Sequence, residues 1–245
     1  NVVQDTKDPS TPDAIFPNNW VSTHHNGTLC LYPMFAENRR AERKSTVINF
    51  LHSNYKIQDV LDLTELEKEG IFLEGTGSMV LDHQNKIAYG CLSERLDKAA
   101  FTNWCHKMQF KPITFKAVDD KAQPIYHTNV MMCVGNQFVV ICLESIPNEL
   151  EKQILLECFL QTNKEVITIS QDQLNHFAGN MLQVFDMHEK PHLIMSEQAH
   201  RSLEPAQVKN LEKYNPILPI SIPTIEALGG GSTRCMMAEI YLSPA

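Results

Sequence analysis

Five times along the chain an apolar residue leads into a short polar or glycine-containing motif, and an apolar run suited to a strand follows. The stretches are Phe16 with PNNWVS, Leu73 with EGTGSMVL, Tyr126 with HTNVMMCV, Phe177 with AGNMLQVF, and Leu228 with GGGSTRCMMAEI. Their leading residues lie 57, 53, 51 and 51 positions apart. A period of that size indicates repeated supersecondary units, stacked or arranged in a ring.

Four of the five stretches continue through a turn into a second strand. The turns are His25-Asn26-Gly27, His83–Asn85, Gly135-Asn136 and His188–Lys190, and the strands are Thr28–Tyr32, Lys86–Cys91, Phe138–Leu143 and His192–Met195. Asn-Gly and Gly-Asn are strong hairpin signals. Helical spacing follows: Val47, Phe50 and Leu51 within Ala41–Tyr55; Leu96, Ala100, Trp104 and Met108 within Glu94–Met108; Leu150, Ile154 and Cys158 within Pro147–Gln161; and a more polar stretch, Ser196–Tyr214. These stripes are core-facing surfaces. Short strands come next, at Ile57–Leu63, Ile113–Ala117, Glu165–Ile169 and Ile217–Ile220. The predicted unit is therefore strand–strand–helix–strand, an α/β fold of ββαβ units. Five hairpin starts meet only four helices. The missing helix and strand are expected upstream of Asn1 in a longer natural chain, an open ring being the alternative. No linker interrupts the pattern, so residues 1–245 are expected to form one domain.

Composition narrows the function. The formal charge is 21 − 29 = −8, which disfavours a nucleic-acid backbone as partner. No apolar run is long enough to span a membrane, and the first residues, NVVQDTKDPS, carry no signal-peptide pattern. Seven scattered cysteines in mostly apolar surroundings read as small hydrophobes in a reducing, cytoplasmic compartment. No CxxC pair or His/Cys cluster has zinc spacing, so neither a metal nor another cofactor is expected. The expected partner is a small molecule, and a homo-oligomer is admitted.

Equivalent positions in a ring of repeats converge near the axis. Here they carry Asn18 and Asn19, then Glu74, then His127 and Asn129, then Asn180, then Cys235. A cysteine, a histidine and a carboxylate meeting there supply nucleophile, general acid/base and charge partner. Arg234 beside Cys235 adds positive charge, which lowers a thiol pKa. Each residue also has a structural explanation: a Gly-rich turn before a buried cysteine, a satisfied core histidine, a turn-capping glutamate. Asn18 and Asn180 are assigned such structural roles. The charged run Glu65–Glu69 reads as a solvated loop.

HTN at 127–129, EGTG at 74–77 and GGGSTRCM at 229–236 resemble motifs of the guanidino-group-modifying superfamily. That superfamily includes arginine deiminases, dimethylarginine dimethylaminohydrolases and amidinotransferases. PNNWVSTH, FLEGTGSMVLD, IYHTNVMM, FAGNMLQ and GGGSTRCMMAEI are most similar to its citrulline-utilization hydrolase (CtlX-type) branch, from about Pro12 to Leu242. The resemblance implies a pentein fold, a five-bladed α/β propeller. It also implies that Cys235 is the nucleophile, His127 the catalytic histidine and Glu74 the glutamate of the deiminase EGGD motif. Asn19 and Asn129 stand where relatives carry aspartates.

Those departures bear on the substrate. A buried guanidinium needs carboxylates, whereas an amide suits a neutral ureido group that both donates and accepts. Citrulline is therefore the expected substrate, with Asn19, Asn129 and Glu74 on the ureido group. Arg234 either lowers the thiol pKa or holds the α-carboxylate; the sequence leaves both open. The expected reaction passes through a thio-intermediate on Cys235, with His127 moving the protons. The alternatives are an arginine deiminase, dimethylarginine hydrolase or amidinotransferase, a non-catalytic pentein-fold binding protein, and an inactive fragment.

Overall fold

The structure, a computed structural model, describes residues 1–245. In the first unit β1 (Val21–Thr23) pairs antiparallel with β2 (Thr28–Leu31), and β3 (Asp59–Asp62) joins β2 in parallel. The second unit repeats this with β4 (Met79–Asp82), β5 (Ile87–Cys91) and β6 (Lys111–Phe115). The third has β7 (Met132–Val134), β8 (Phe138–Ile141) and β9 (Glu165–Thr168). The fourth has β10 (Leu182–Phe185), β11 (Pro191–Ser196) and β12 (Ile217–Ile220). A parallel neighbour cannot be reached through a tight turn. A helical crossover therefore leads to each third strand: Ser45–Asn54, Lys98–Met108, Glu149–Gln161, and in the fourth unit Glu197–Ser202 and Pro205–Glu212.

The expected helices shorten where local chemistry stops them. Glu94–Met108 becomes Lys98–Met108 because Asp97 caps the helix, accepting from the Ala100 N–H at 2.8 Å. Ser196–Tyr214 splits at Leu203 and Glu204, both extended, ahead of Pro205. Proline disfavours helical backbone at the residue before it and starts a helix well. The run expected as a solvated loop forms a short 3₁₀ helix, Thr64–Glu69, with Glu67 tied to Arg43 at 2.7 Å and to the Met34 N–H at 2.8 Å.

The largest departure is in the fifth unit. No strand follows Cys235, and the structure has four sheets, so the expected five-bladed propeller is not formed. A strand needs ladder partners, and Met237–Leu242 has none among residues 1–245. Side chains hold the segment instead, one of them from β1. Thr23 Oγ1 donates to the Glu239 carbonyl at 2.9 Å and accepts from the Tyr241 N–H at 2.8 Å. Contacts nevertheless run around the molecule. Gly75–Ser78 packs on Pro17–Asn19 and Thr128–Met131, β7 packs on β4 and β10, and Thr233–Met236 packs on β11 and Pro17–Asn19. The fifth motif thus meets the first.

The largest buried cluster, 29 residues, extends over units two to four and includes Phe115, Phe138, Ile141 and Phe159. Six residues of the first unit, among them Trp20, Leu29 and Met34, form a separate cluster, while its Cys30 and Tyr32 join the 12-residue cluster of the second unit. Near the chain end, Tyr241 lies between His25 and His83, with ring centroids 4.4 and 4.3 Å away. All seven cysteines are buried and unpaired. No helix is long and apolar enough to cross a membrane.

Candidate active site

Four of the five motifs fold as single helical turns, Pro17–Asn19, Gly75–Ser78, Thr128–Met131 and Thr233–Met236, where the sequence suggested plain turns into strands. Two glycines permit this. Gly75 has φ +44, and any side chain there would strike the Asn18 carbonyl; a methyl on Gly77 would overlap Asn19 Nδ2 and press on the His127 ring. Glu74 and His127 hold equivalent positions just before their turns. The two turns are joined by Thr128 Oγ1, which donates to the Ser78 carbonyl.

That equivalence brings Glu74 and His127 together. Glu74 Oε2 lies 2.6 Å from His127 Nε2 and accepts from Arg95 at 3.3 Å, while Oε1 accepts from the Phe35 N–H at 2.9 Å. Glu74 is fully buried. Burial alone would raise its pKa, but the His127 hydrogen bond, Arg95 and the Phe35 N–H, joined by the imidazolium charge only in acid where the carboxyl would titrate, outweigh it and hold the carboxyl at about 2. Burial lowers the pKa of His127, and Glu74 offsets only part of that. The neutral imidazole therefore donates through Nε2 to an anionic carboxylate, which leaves Nδ1 as the nitrogen available for proton transfer.

Cys235 is buried on the turn Thr233–Met236, and two side-chain amides converge on its sulfur. Asn180 Nδ2 donates at 3.3 Å and Asn129 Nδ2 at 3.6 Å. Asn129 is two residues beyond His127 on the same short turn, which links the sulfur to the Glu74–His127 pair. Asn180, given only a structural role in the sequence, organises this half of the site. Its Nδ2 also donates to the Asn129 carbonyl at 2.9 Å, and its Oδ1 accepts the Arg234 N–H at 2.9 Å. The signal was present, since Asn180 occupies the repeat position equivalent to Asn129, but asparagine is also a favoured turn residue that hydrogen-bonds its local backbone.

Asn19 and Asn18 are buried beside these turns. Asn19 Oδ1 accepts from Arg39 Nη1 at 2.7 Å, and its Nδ2 has no partner in the protein. The Asn18 amide and Asn129 Oδ1 are likewise unpartnered.

The Arg234 side chain is committed to groups of the chain itself. Nη1 donates to the Met237 carbonyl at 2.7 Å, and Nη2 pairs with Glu239 at 3.0 Å. It lines a cavity of about 80 Å³ with Asn129, Glu239 and Tyr241. A guanidinium so committed is not free for a substrate carboxylate. Arg95, which sequence reasoning missed, is better placed. It contacts Glu74 and lies between the rings of Tyr126 and Phe35, 5.1 and 5.8 Å from their centroids. Both rings are partly exposed, and Tyr126 reaches the Gly230 carbonyl at 2.9 Å. No group of three His, Cys, Asp or Glu residues has metal-holding geometry.

A buried thiol that accepts two amide N–H groups, one from a residue two positions after the histidine of an imidazole–carboxylate pair, is a set of groups compatible with covalent acyl- or amidino-type transfer. The model of one protein family, described as N,N dimethylarginine dimethylhydrolase, eukaryotic, matches residues 1–242. No curated protein matches in sequence. Among solved structures, the chain resembles the N-terminal domain of ArgZ, an arginine dihydrolase from the ornithine-ammonia cycle in cyanobacteria. The TM-score is 0.71 at 14% identity, over 92% of this chain and 75% of that one. AgrE bound to L-arginine gives 0.71 at 15%, over 92% of this chain but 31% of that one. A dimethylarginine dimethylaminohydrolase adduct gives 0.63 at 11%, over 92% and 78%. At these identities the likeness shows a shared mixed α/β pentein-type fold.

Proposed function

Starting from the chain's membership of the eukaryotic N,N-dimethylarginine dimethylhydrolase family, we propose that it is a cysteine-dependent hydrolase of C–N bonds with citrulline as its preferred substrate. The observation that carries the choice is the state of Glu74. Its two oxygens already face a backbone N–H, an arginine and an imidazole, so most of its acceptor sites are taken and its charge is shared with Arg95 before a substrate arrives. The positions where the superfamily resemblance implies aspartates are Asn19 and Asn129, both buried and uncharged. A buried cation without a carboxylate is costly, and a neutral ureido group avoids that cost.

In this reading Cys235 transfers its proton to His127 Nδ1 and the thiolate attacks the ureido carbon. The bond from that carbon to the chain nitrogen breaks, and His127 returns the proton to the departing amine, giving ornithine. A thiocarbamoyl group remains on Cys235. Water, deprotonated by His127, adds to it, and carbamate leaves with the sulfur restored as thiolate. Carbamate decays to carbon dioxide and ammonia. Asn129 and Asn180 keep the sulfur hydrogen-bonded while it is anionic, Glu74 keeps the imidazole oriented, and Arg95 receives the substrate carboxylate at the mouth. A covalent intermediate has a parallel in the ArgZ domain, solved covalently bound to a reaction intermediate.

A second reading keeps the machinery and changes the substrate: a guanidino hydrolase acting on dimethylarginine or arginine. The family description and the arginine-bound AgrE structure favour it. Incubation with citrulline, arginine and dimethylarginine separately decides. Ornithine and ammonia from citrulline alone support the first reading. Citrulline formed from arginine or dimethylarginine establishes the second.

A further inference from the structure

The polarity of the Asn19 amide is fixed by its neighbour. Arginine has no acceptor, so the Asn19 atom 2.7 Å from Arg39 Nη1 has to be the oxygen. The NH₂ end therefore points the other way. It is buried without a partner, and it lies where a side chain on Gly77 would sit, next to His127 Nδ1 and Cε1. Native proteins leave few buried donors unpaired. Arg39 is itself locked in place: Nε and Nη2 hold Glu42 at 2.8 and 2.9 Å, Nη2 reaches the Phe16 carbonyl at 3.2 Å, and both side chains are buried.

Resting on the reading that the substrate ends in a ureido or guanidino group, we infer that Arg39 is a positioning residue. It holds Asn19 with its donor toward the substrate, and so selects a carbonyl oxygen at that position over a guanidino nitrogen. A ureido oxygen accepts the Asn19 N–H. A guanidinium offers only N–H groups along its edge, so the same placement sets donor against donor. An aspartate at 19 would accept from Arg39 with one oxygen and present the other as an acceptor, reversing the preference. The Arg39–Glu42 pair thus sets the sign of recognition without touching the substrate.

Calorimetric binding of citrulline and of arginine to the Cys235→Ala protein, which cannot turn over, tests this. Asn19→Asp, Arg39→Lys and the double change Arg39→Met with Glu42→Met are compared in that background. Lysine keeps a charge for Glu42 but lacks the fork that holds Glu42 and Asn19 together. The double change removes both buried charges, and so covers a single variant that fails to fold. The parent is expected to favour citrulline at least tenfold. Asn19→Asp should move the ratio toward arginine tenfold or more, and the two Arg39 variants should bring it to within about threefold of unity. A purely structural role would weaken both ligands together, so an unmoved ratio in the folded variants overturns the inference. A parent that prefers arginine, or binds neither ligand, overturns both the inference and the citrulline reading. A parent that prefers citrulline while the unmodified enzyme does not hydrolyse it overturns only the proposed reaction.

Discussion

The carboxylate of Glu74 and the imidazole of His127, 53 residues apart in sequence, meet at 2.6 Å in a buried pair. The pair has a single available ring nitrogen, Nδ1, so both halves of the proposed reaction pass through it. Glu74→Gln retains the shape and removes the charge. We expect kcat to fall about 10²–10⁴-fold, with the protein still folded by circular dichroism. Cys235→Ala should lose at least about 10³-fold. Unchanged kcat in either variant would remove this site from the chemistry.

Gly77 has room for hydrogen only. Gly77→Ala drives a methyl into Asn19 Nδ2 and the His127 ring. The expected stability cost is about 1–3 kcal/mol, measured by urea unfolding. Activity should fall much further, about 10²-fold, because displacement of a reacting group is costly. An active Gly77→Ala enzyme would mean that the His127 ring is not where the reaction needs it.

Arg95 stands at the mouth, so its removal should separate binding from turnover. For Arg95→Ala we expect KM for citrulline to rise tenfold or more, with a smaller change in kcat. A substrate analogue lacking the α-carboxylate should show no such rise. Equal effects on both compounds would assign Arg95 to Glu74 alone.

Acid should unfold this protein earlier than its carboxylates alone would cause. Burial, with the charges of His83, Lys86 and His25, lowers His24 to about 3. Burial and neighbouring positive charges outweigh Glu239 and lower His83 to about 4. Both titrate near 6.5 when unfolded. Between those values the unfolded chain binds protons that the native protein does not. Their stabilising effect is therefore complete above about pH 6.5 and is lost as pH falls toward 4 and then 3. Each contributes a slope of about 1.4 kcal/mol per pH unit over its window. Denaturant titrations from pH 7.5 to 4.5 should show this, and His83→Gln should remove one proton's share. A pH-independent midpoint across that range would contradict it.

The repeats were legible because a hairpin and a parallel third strand repeat at nearly constant spacing, and residues such as Leu29, Tyr89, Val139 and Leu193 keep one face apolar. The Glu74–His127 contact followed from equivalent positions in adjacent repeats. Asn180 was legible as a repeat position but not as a partner of Cys235, and Arg39 and Arg95 were not legible at all. The two arginines lie outside the recurring motifs and act through hydrogen bonds to motif residues 20 and 21 positions earlier, Asn19 and Glu74, and local periodicity carries no trace of such a bond. The strand expected after Cys235 failed for a related reason. Apolar alternation signals the capacity to pair, but pairing also needs a partner strand.

The hydroxyl of Thr23 clasps the backbone at Glu239 and Tyr241, which lie 216 and 218 positions further along the chain. Loop closure over such a span is slow and entropically demanding. The segment that follows Cys235 is therefore seated only once Val21–Thr23 and Glu239–Tyr241 find one another. On a ribosome, that clasp would have to wait until residues 239–241 emerge. During refolding from urea, recovery of turnover should lag behind recovery of secondary structure.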